Sequence, residues 1–252
     1  MRRASPAPES HRLQAESSSP ADEIDESWAE SDAWQQAHSA HVLLLRHAPT
    51  SWNDEQRRQG WADQPLTGAA RRAARAWADC VPASFSAVVA SDLQRAHETA
   101  QIIASSLALD EVEVMPGLRE QDQGAWTGLT KEEIKRRWPE RMREHPRRPV
   151  DGESGESVLA RALGAMGQIA SARQGRRVLV VTHSGVIRTL ERAVGADAPP
   201  VPHLQGRWFR LLSPADHDAS PAGGSVLAGE LTAGRRRLAG EVAAARSIAE
   251  RA

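Results

Sequence analysis

From position 41 the chain alternates short, uninterrupted apolar runs with longer stretches in which apolar residues recur every three to four positions. Val42-Leu43-Leu44-Leu45 has no polar interruption, the pattern of a strand buried on both faces. Three further runs read as extended: Ala87-Val88-Val89, the shorter Val112-Glu113-Val114, and Val178-Leu179-Val180-Val181. Between them Ala96, Ala100, Ile103 and Leu107 keep helical spacing after Ser91-Asp92-Leu93-Gln94, which reads as a capping box. Leu159, Ala162, Leu163, Met166, Ile169 and Ala170 form a second stripe. Thr130-Lys131-Glu132-Glu133 opens a shorter helix stopped near Pro139. Strands alternating with helices predict an α/β fold, a mostly parallel central sheet with helices on both faces. Trp208-Phe209-Arg210-Leu211-Leu212 reads as a further strand, and Arg235 to Ala252 as a peripheral helix.

Residues 1–40 differ in texture. They are rich in Ser, Pro, Ala, Glu and Asp, and Leu13, Ile24, Trp28 and Trp34 keep no period, so they read as a disordered tail before a single domain over 41–252. His38 and His41 would need a third ligand to hold a metal.

Composition narrows the chemistry. The 32 basic and 33 acidic residues leave a net charge of −1, which favours neither nucleic acid nor an anionic membrane. Lys131 and Lys135 are the only lysines and tyrosine is absent, so Schiff-base, P-loop and tyrosine-nucleophile chemistries drop out. The single cysteine, Cys80, can form no disulfide within the chain and suits a reducing compartment. No apolar run reaches membrane-spanning length, and Met1-Arg2-Arg3 is followed by no apolar stretch, so the expected setting is the cytoplasm.

In open parallel sheets, ligands bind beyond the carboxyl ends of the strands. There lie Arg46-His47, Ser91-Asp92 with Arg95 one helical turn on, Leu118-Arg119-Glu120, and Thr182-His183. Of these, the imidazoles of His47 and His183, the guanidiniums of Arg46 and Arg95 and the carboxyl of Glu120 suit a phosphate monoester: an imidazole attacks phosphorus, guanidiniums hold the oxygens, and the acid protonates the leaving alkoxide.

Four segments carry a resemblance. Arg46-His47-Ala48-Pro49-Thr50-Ser51-Trp52-Asn53 continues through Gln59-Gly60-Trp61-Ala62-Asp63-Gln64-Pro65-Leu66-Thr67. It is followed by Ser91-Asp92-Leu93-Gln94-Arg95-Ala96, by Leu118-Arg119-Glu120 with Gly124-Ala125-Trp126-Thr127-Gly128, and by Val181-Thr182-His183-Ser184-Gly185. In this order they resemble the motifs of the histidine phosphatase (phosphoglycerate mutase-like) superfamily. The resemblance covers about residues 41–195.

It implies a three-layer sandwich and a phosphohistidine on His47, with Arg46, Arg95 and His183 on the phosphoryl oxygens. Glu120 is implied as general acid, then base. Thr50, Asn53, Gln59, Gly60 and Ser184 match positions lining the phosphate or substrate. No metal or cofactor is called for, and the expected partner is a small phosphorylated substrate; a homodimer is compatible with this reading. Ala48, Thr127 and Ser184 depart from the common residues without removing a catalytic group.

Alternatives remain open at this stage. Asp122 or Glu98 could stand in for Glu120, and Arg57 or Arg58 could reach an anionic substrate. His97, His145, His203 and His217 read as surface groups. Arg136, Arg137, Arg141, Arg143, Arg147 and Arg148 form either a solvated helix face or a cationic rim. Hydrolysis is favoured over phosphoglycerate mutase activity because only 63 positions separate Glu120 from His183, whereas the family's mutases carry longer insertions. A non-catalytic phosphate-binding protein would be expected to lack a catalytic residue, and a serine hydrolase to have a second glycine that Gly152-Glu153-Ser154-Gly155-Glu156 lacks at the needed position.

Overall fold

The computed structural model describes residues 39–212 except 82–84, 110, 147 and 197–198. The tail through His38 and the C-terminal helix expected over 235–252 lie outside the described residues.

Five strands form one sheet: β1 (Ser39–Arg46), β2 (Ala87–Ala90), β3 (Val112–Val114), β4 (Arg177–Thr182) and β5 (Gly206–Leu212). Their order is β3-β2-β4-β1-β5. The first four run parallel, and β5 pairs antiparallel with β1. β1 thus starts two residues before the change of texture at His41.

The unbroken apolar runs follow from burial on both faces. Val42, Leu44, Val178 and Val180 belong to one core cluster with α6 (Gly155–Ala172) and α7 (Ser184–Ala193). Leu43, Leu45, Leu179 and Val181 belong to another with α2 (Gly68–Cys80) and α3 (Gln94–Ser106). Fully burying one such aliphatic side chain stabilises the fold by about 1.5–3 kcal/mol. Among the described residues the remaining α-helices are the single turn α1 (Ser51–Asp54), α4 (Lys131–Arg137) and α5 (Pro139–Glu144). Thr130 and Glu133 close the box that opens α4, and Pro139 begins α5.

Two local readings change. α2 has no counterpart among the expected elements because its buried stripe is mainly alanine, Ala70, Ala74 and Ala78 around Trp77, set among arginines. The box at Ser91–Gln94 does not form either. Leu93 occupies the cap position, Asp63 accepts the N–H of Gln94 at 2.6 Å from a distant loop, and Ser91 turns to another partner. A local sequence pattern cannot see a cap supplied from 31 positions away.

Candidate active site

The residues singled out by their place at strand ends meet at one edge of the sheet. β1 delivers Arg46 and then His47, whose N–H donates to Thr182 O of β4 at 3.0 Å. β4 delivers His183, the cap of α7. The imidazole centroids of His47 and His183 lie 5.1 Å apart. Both rings are buried, as is Arg95 on the first turn of α3.

The backbone fixes the tautomer of His47. Its Nδ1 lies 2.7 Å from Ala48 O. A carbonyl only accepts, so Nδ1 carries the hydrogen and Nε2 keeps its lone pair. Burial first, then Arg95, His203 and Arg46, hold the His47 pKa well below the usual 6.5. His183 is depressed likewise, by burial and then by Arg95 and His47. Its Nε2 lies 2.9 Å from Ser91 Oγ, which also accepts Leu93 N–H at 3.3 Å. If the hydroxyl hydrogen goes to Nε2, the His183 proton sits on Nδ1, and that atom is buried without a protein partner.

The two arginines are anchored through their outer nitrogens. Arg95 donates to Gly60 O at 2.8 Å and Ala62 O at 2.9 Å, and Arg46 donates to Val201 O at 2.9 Å. Burial lowers the Arg95 pKa to about 10, which leaves it charged at neutral pH. The Nε of each is buried without a protein partner. Gly60 must be glycine: its φ is +51°, and a Cβ there would stand 2.8 Å from Gln123 N.

Glu120 lies in the loop after β3. Its carboxyl group accepts Gln121 N–H at 2.8 Å and Gly185 N–H at 3.2 Å, the latter in the first turn of α7. Three groups hold the loop. Thr182 Oγ1 donates to Leu118 O at 2.8 Å, and Trp61 Nε1 donates to Glu120 O at 2.7 Å. Arg161 of α6 donates to Gly117 O at 2.9 Å, to Arg119 O at 2.5 Å and to Glu120 O at 3.0 Å, while Glu153 grips it at 2.7 Å through both oxygens. The alternatives are otherwise engaged: Glu98 pairs with Arg71, and Asp122 accepts Gly124 N–H at 3.0 Å.

The softer candidates divide. Thr50 N–H and hydroxyl both donate to Asn53 Oδ1, at 3.0 and 3.1 Å, so these two bind each other at α1. Gln59 is buried beside Gly60, with Oε1 unpartnered, and Ser184 opens α7 next to His183. Arg57 is not a free rim cation: it donates to Glu55, Gly128 O and Glu133. Arg58 is exposed, as are Arg136, Arg137, Arg143 and Arg148; Arg141 is half-buried and donates to Arg148 O, and Arg147 is outside the described residues.

His203 is the clearest correction. Read as a surface group, it packs against His47 with ring centroids 5.3 Å apart, and its Nδ1 lies 2.9 Å from His47 O. Burial, then Arg46, pushes its pKa down to about 4. Thr99 was also missed: its hydroxyl accepts Ala48 N–H at 3.1 Å and donates to Arg95 O at 2.6 Å. For Thr99 a signal existed, since it lies one helical turn after Arg95; for His203 none did.

Residues 42–206 match the histidine phosphatase superfamily (branch 1). The chain belongs to that superfamily. It is 38% identical over 163 residues, 61% of its length, to phosphoglycerate mutase-like protein 4 of Arabidopsis thaliana, covering 71% of that protein. It is 33% identical over 171 residues, 65% of its length, to a metal-independent phosphoserine phosphatase of the same plant, again covering 71%. Among solved structures, a mycobacterial glucosyl-3-phosphoglycerate phosphatase superposes with a TM-score of 0.60 at 27% identity, over 69% of this chain and 90% of that one. By class this histidine phosphatase is a phosphomonoesterase. Among the described residues, no helix is long and apolar enough to cross a membrane.

Proposed function

We propose that this histidine phosphatase hydrolyses a small phosphorylated metabolite without a metal ion, through a phosphohistidine on His47. The observation that carries the proposal is a set of buried nitrogens without protein partners, Arg46 Nε, Arg95 Nε and His183 Nδ1, on the three side chains that crowd His47. Buried unpaired donors cost about 1–3 kcal/mol each, and a phosphoryl group supplies the oxygens that would satisfy them.

In the first step the Nε2 lone pair attacks phosphorus and the ester P–O bond breaks. Protonated Glu120 gives its proton to the departing oxygen, and Arg46, Arg95 and His183 stabilise the equatorial oxygens. In the second step Glu120, now a carboxylate, takes a proton from water. The water oxygen attacks phosphorus, the N–P bond breaks, and its electron pair returns to Nε2. Positive charge from side chains does the work a metal would otherwise do. The relative named for metal-independent phosphoserine hydrolysis supports this.

The substrate is proposed by class only. Phosphoserine, glucosyl-3-phosphoglycerate and alpha-ribazole, named in the relatives, are three different molecules. The proposed setting is the cytoplasm, which accords with the single free cysteine, Cys80.

A panel of phosphorylated metabolites assayed for phosphate release, with His47→Ala alongside, tests the reading. Acid-labile phosphoenzyme in the wild type and its loss with all turnover in the variant are expected. Full activity in His47→Ala would overturn the assignment. Isomerisation of 3-phosphoglycerate without phosphate release would replace hydrolase by mutase.

A further inference from the structure

We propose that His203 is a positioning residue for the nucleophile, pinning the peptide that joins His47 to Ala48 from the segment just before β5. The inference rests on His47 being the phosphoryl acceptor.

That peptide is held at both ends. His203 Nδ1–H donates to its carbonyl, His47 O, at 2.9 Å. Its N–H, on Ala48, donates to Thr99 Oγ1 at 3.1 Å. The next carbonyl along, Ala48 O, accepts the His47 Nδ1 hydrogen at 2.7 Å, so the orientation of the pinned peptide sets where the ring of His47 points. Nδ1 of His203 must carry its hydrogen because its partner is a carbonyl. The ring also packs edge-on against His47, at 64°.

The segment bearing His203 is locked in place. Val201 O accepts from the Arg46 guanidinium at 2.9 Å, Leu204 N–H donates to Arg46 O at 3.0 Å, and Gln205 O accepts Arg46 N–H at 3.0 Å. Leu204 is buried and has φ +55°, a backbone conformation that is unfavourable for leucine and is retained only where its surroundings impose it. These contacts hold His203 against His47 and keep Arg46 aligned with it. The charged and titratable groups facing His203 are Arg46, Arg95 and His47, and beside two guanidiniums it stays neutral.

The test uses His203→Asn, whose amide can donate from near the Nδ1 position, with His203→Phe, which keeps a ring but has no donor, and His203→Gln, whose amide lies one carbon further out. Loss of alignment of about 1 Å lowers turnover by up to about a hundredfold. Phe and Gln variants should therefore lose at least about tenfold in kcat with KM within about threefold, while the Asn variant stays within about threefold of wild type. Nitrogen-15 spectra of the imidazoles should show His47 as the Nδ1–H tautomer in the wild type and Asn variant, and as a mixture in the other two. Wild-type kcat in the Phe or Gln variant overturns the proposal. So does an equal loss in all three with the His47 tautomer unchanged, which would reduce His203 to packing. If the wild type forms no phosphoenzyme, the phosphatase reading fails, but the tautomer comparison still decides the role of His203.

Discussion

Glu120 and Gly185 are fitted to each other: the Gly185 N–H donates to Glu120 Oε2 at 3.2 Å, and a Cβ on residue 185 would overlap the carboxylate. The glycine lies in α7 with an ordinary helical backbone, so its role here is space rather than conformational freedom.

Gly185→Ala should accordingly leave the fold intact, since the atoms nearest the added Cβ all lie at the tip of the Glu120 side chain and none is backbone, while displacing the proposed acid. The loss should depend on the leaving group: at least about a hundredfold in kcat for alkyl phosphates, which need protonation, and much less for p-nitrophenyl phosphate, which does not. Parallel assays of both substrates, with a melting curve, check this. Equal losses on the two would remove Glu120 from its role as acid.

Arg161 touches three carbonyls of the Glu120 loop and is gripped by Glu153. Lysine cannot reproduce that planar fork. Arg161→Lys should destabilise the protein by about 1–3 kcal/mol and lower kcat at least about tenfold. Denaturant titration and steady-state kinetics measure both.

Ser91→Ala removes the hydroxyl beside His183 Nε2 and frees the ring to hold its hydrogen on either nitrogen. Affinity for vanadate, a phosphate mimic, should fall about three- to tenfold, the loss of one hydrogen bond of about 1 kcal/mol. Isothermal titration reads the change.

Stability should decline in mild acid. His47, His183 and His203 all have folded pKa values below the unfolded value of about 6.5. The folded state therefore binds fewer protons, so the stabilisation is complete above pH 6.5 and is lost as pH falls below it, for His203 down to about pH 4. Each such group contributes a slope of at most about 1.4 kcal/mol per pH unit in that window. Denaturant titrations between pH 8 and about 4.5 should show a steeper decline in the wild type than in His203→Asn. Parallel curves for the two would contradict the burial of His203.

The central parallel strands were readable because burial on both sides leaves an uninterrupted apolar run, as in Val42–Leu45 and Val178–Val181. The clustering of His47, Arg95, Glu120 and His183 followed from their places at strand ends together with ordered motifs. What escaped was non-local. Asp63 caps α3 across a loop, Gly128 and Glu133 engage Arg57 from more than 70 positions away, and His203 reaches His47 from 156 positions away. No local period or motif announces such contacts, because each depends on how the loops return to the sheet edge.

The place of β4 in the sheet bears on how the protein is made. β1 and β2 emerge early in synthesis, yet they are not neighbours: β4, residues 177–182, lies between them. Until it is inserted, no strand bridges β1 and β2 to bring His47 toward Ser91 and Arg95, and residues 201–205, just before β5, have yet to reach Arg46 and His47. Sheet assembly thus waits for long-range closure, which slows folding. A ribosome-bound chain halted before β4 would hold His47 and both arginines without the strand that joins their parts of the sheet, so the proposed pocket is completed late in translation.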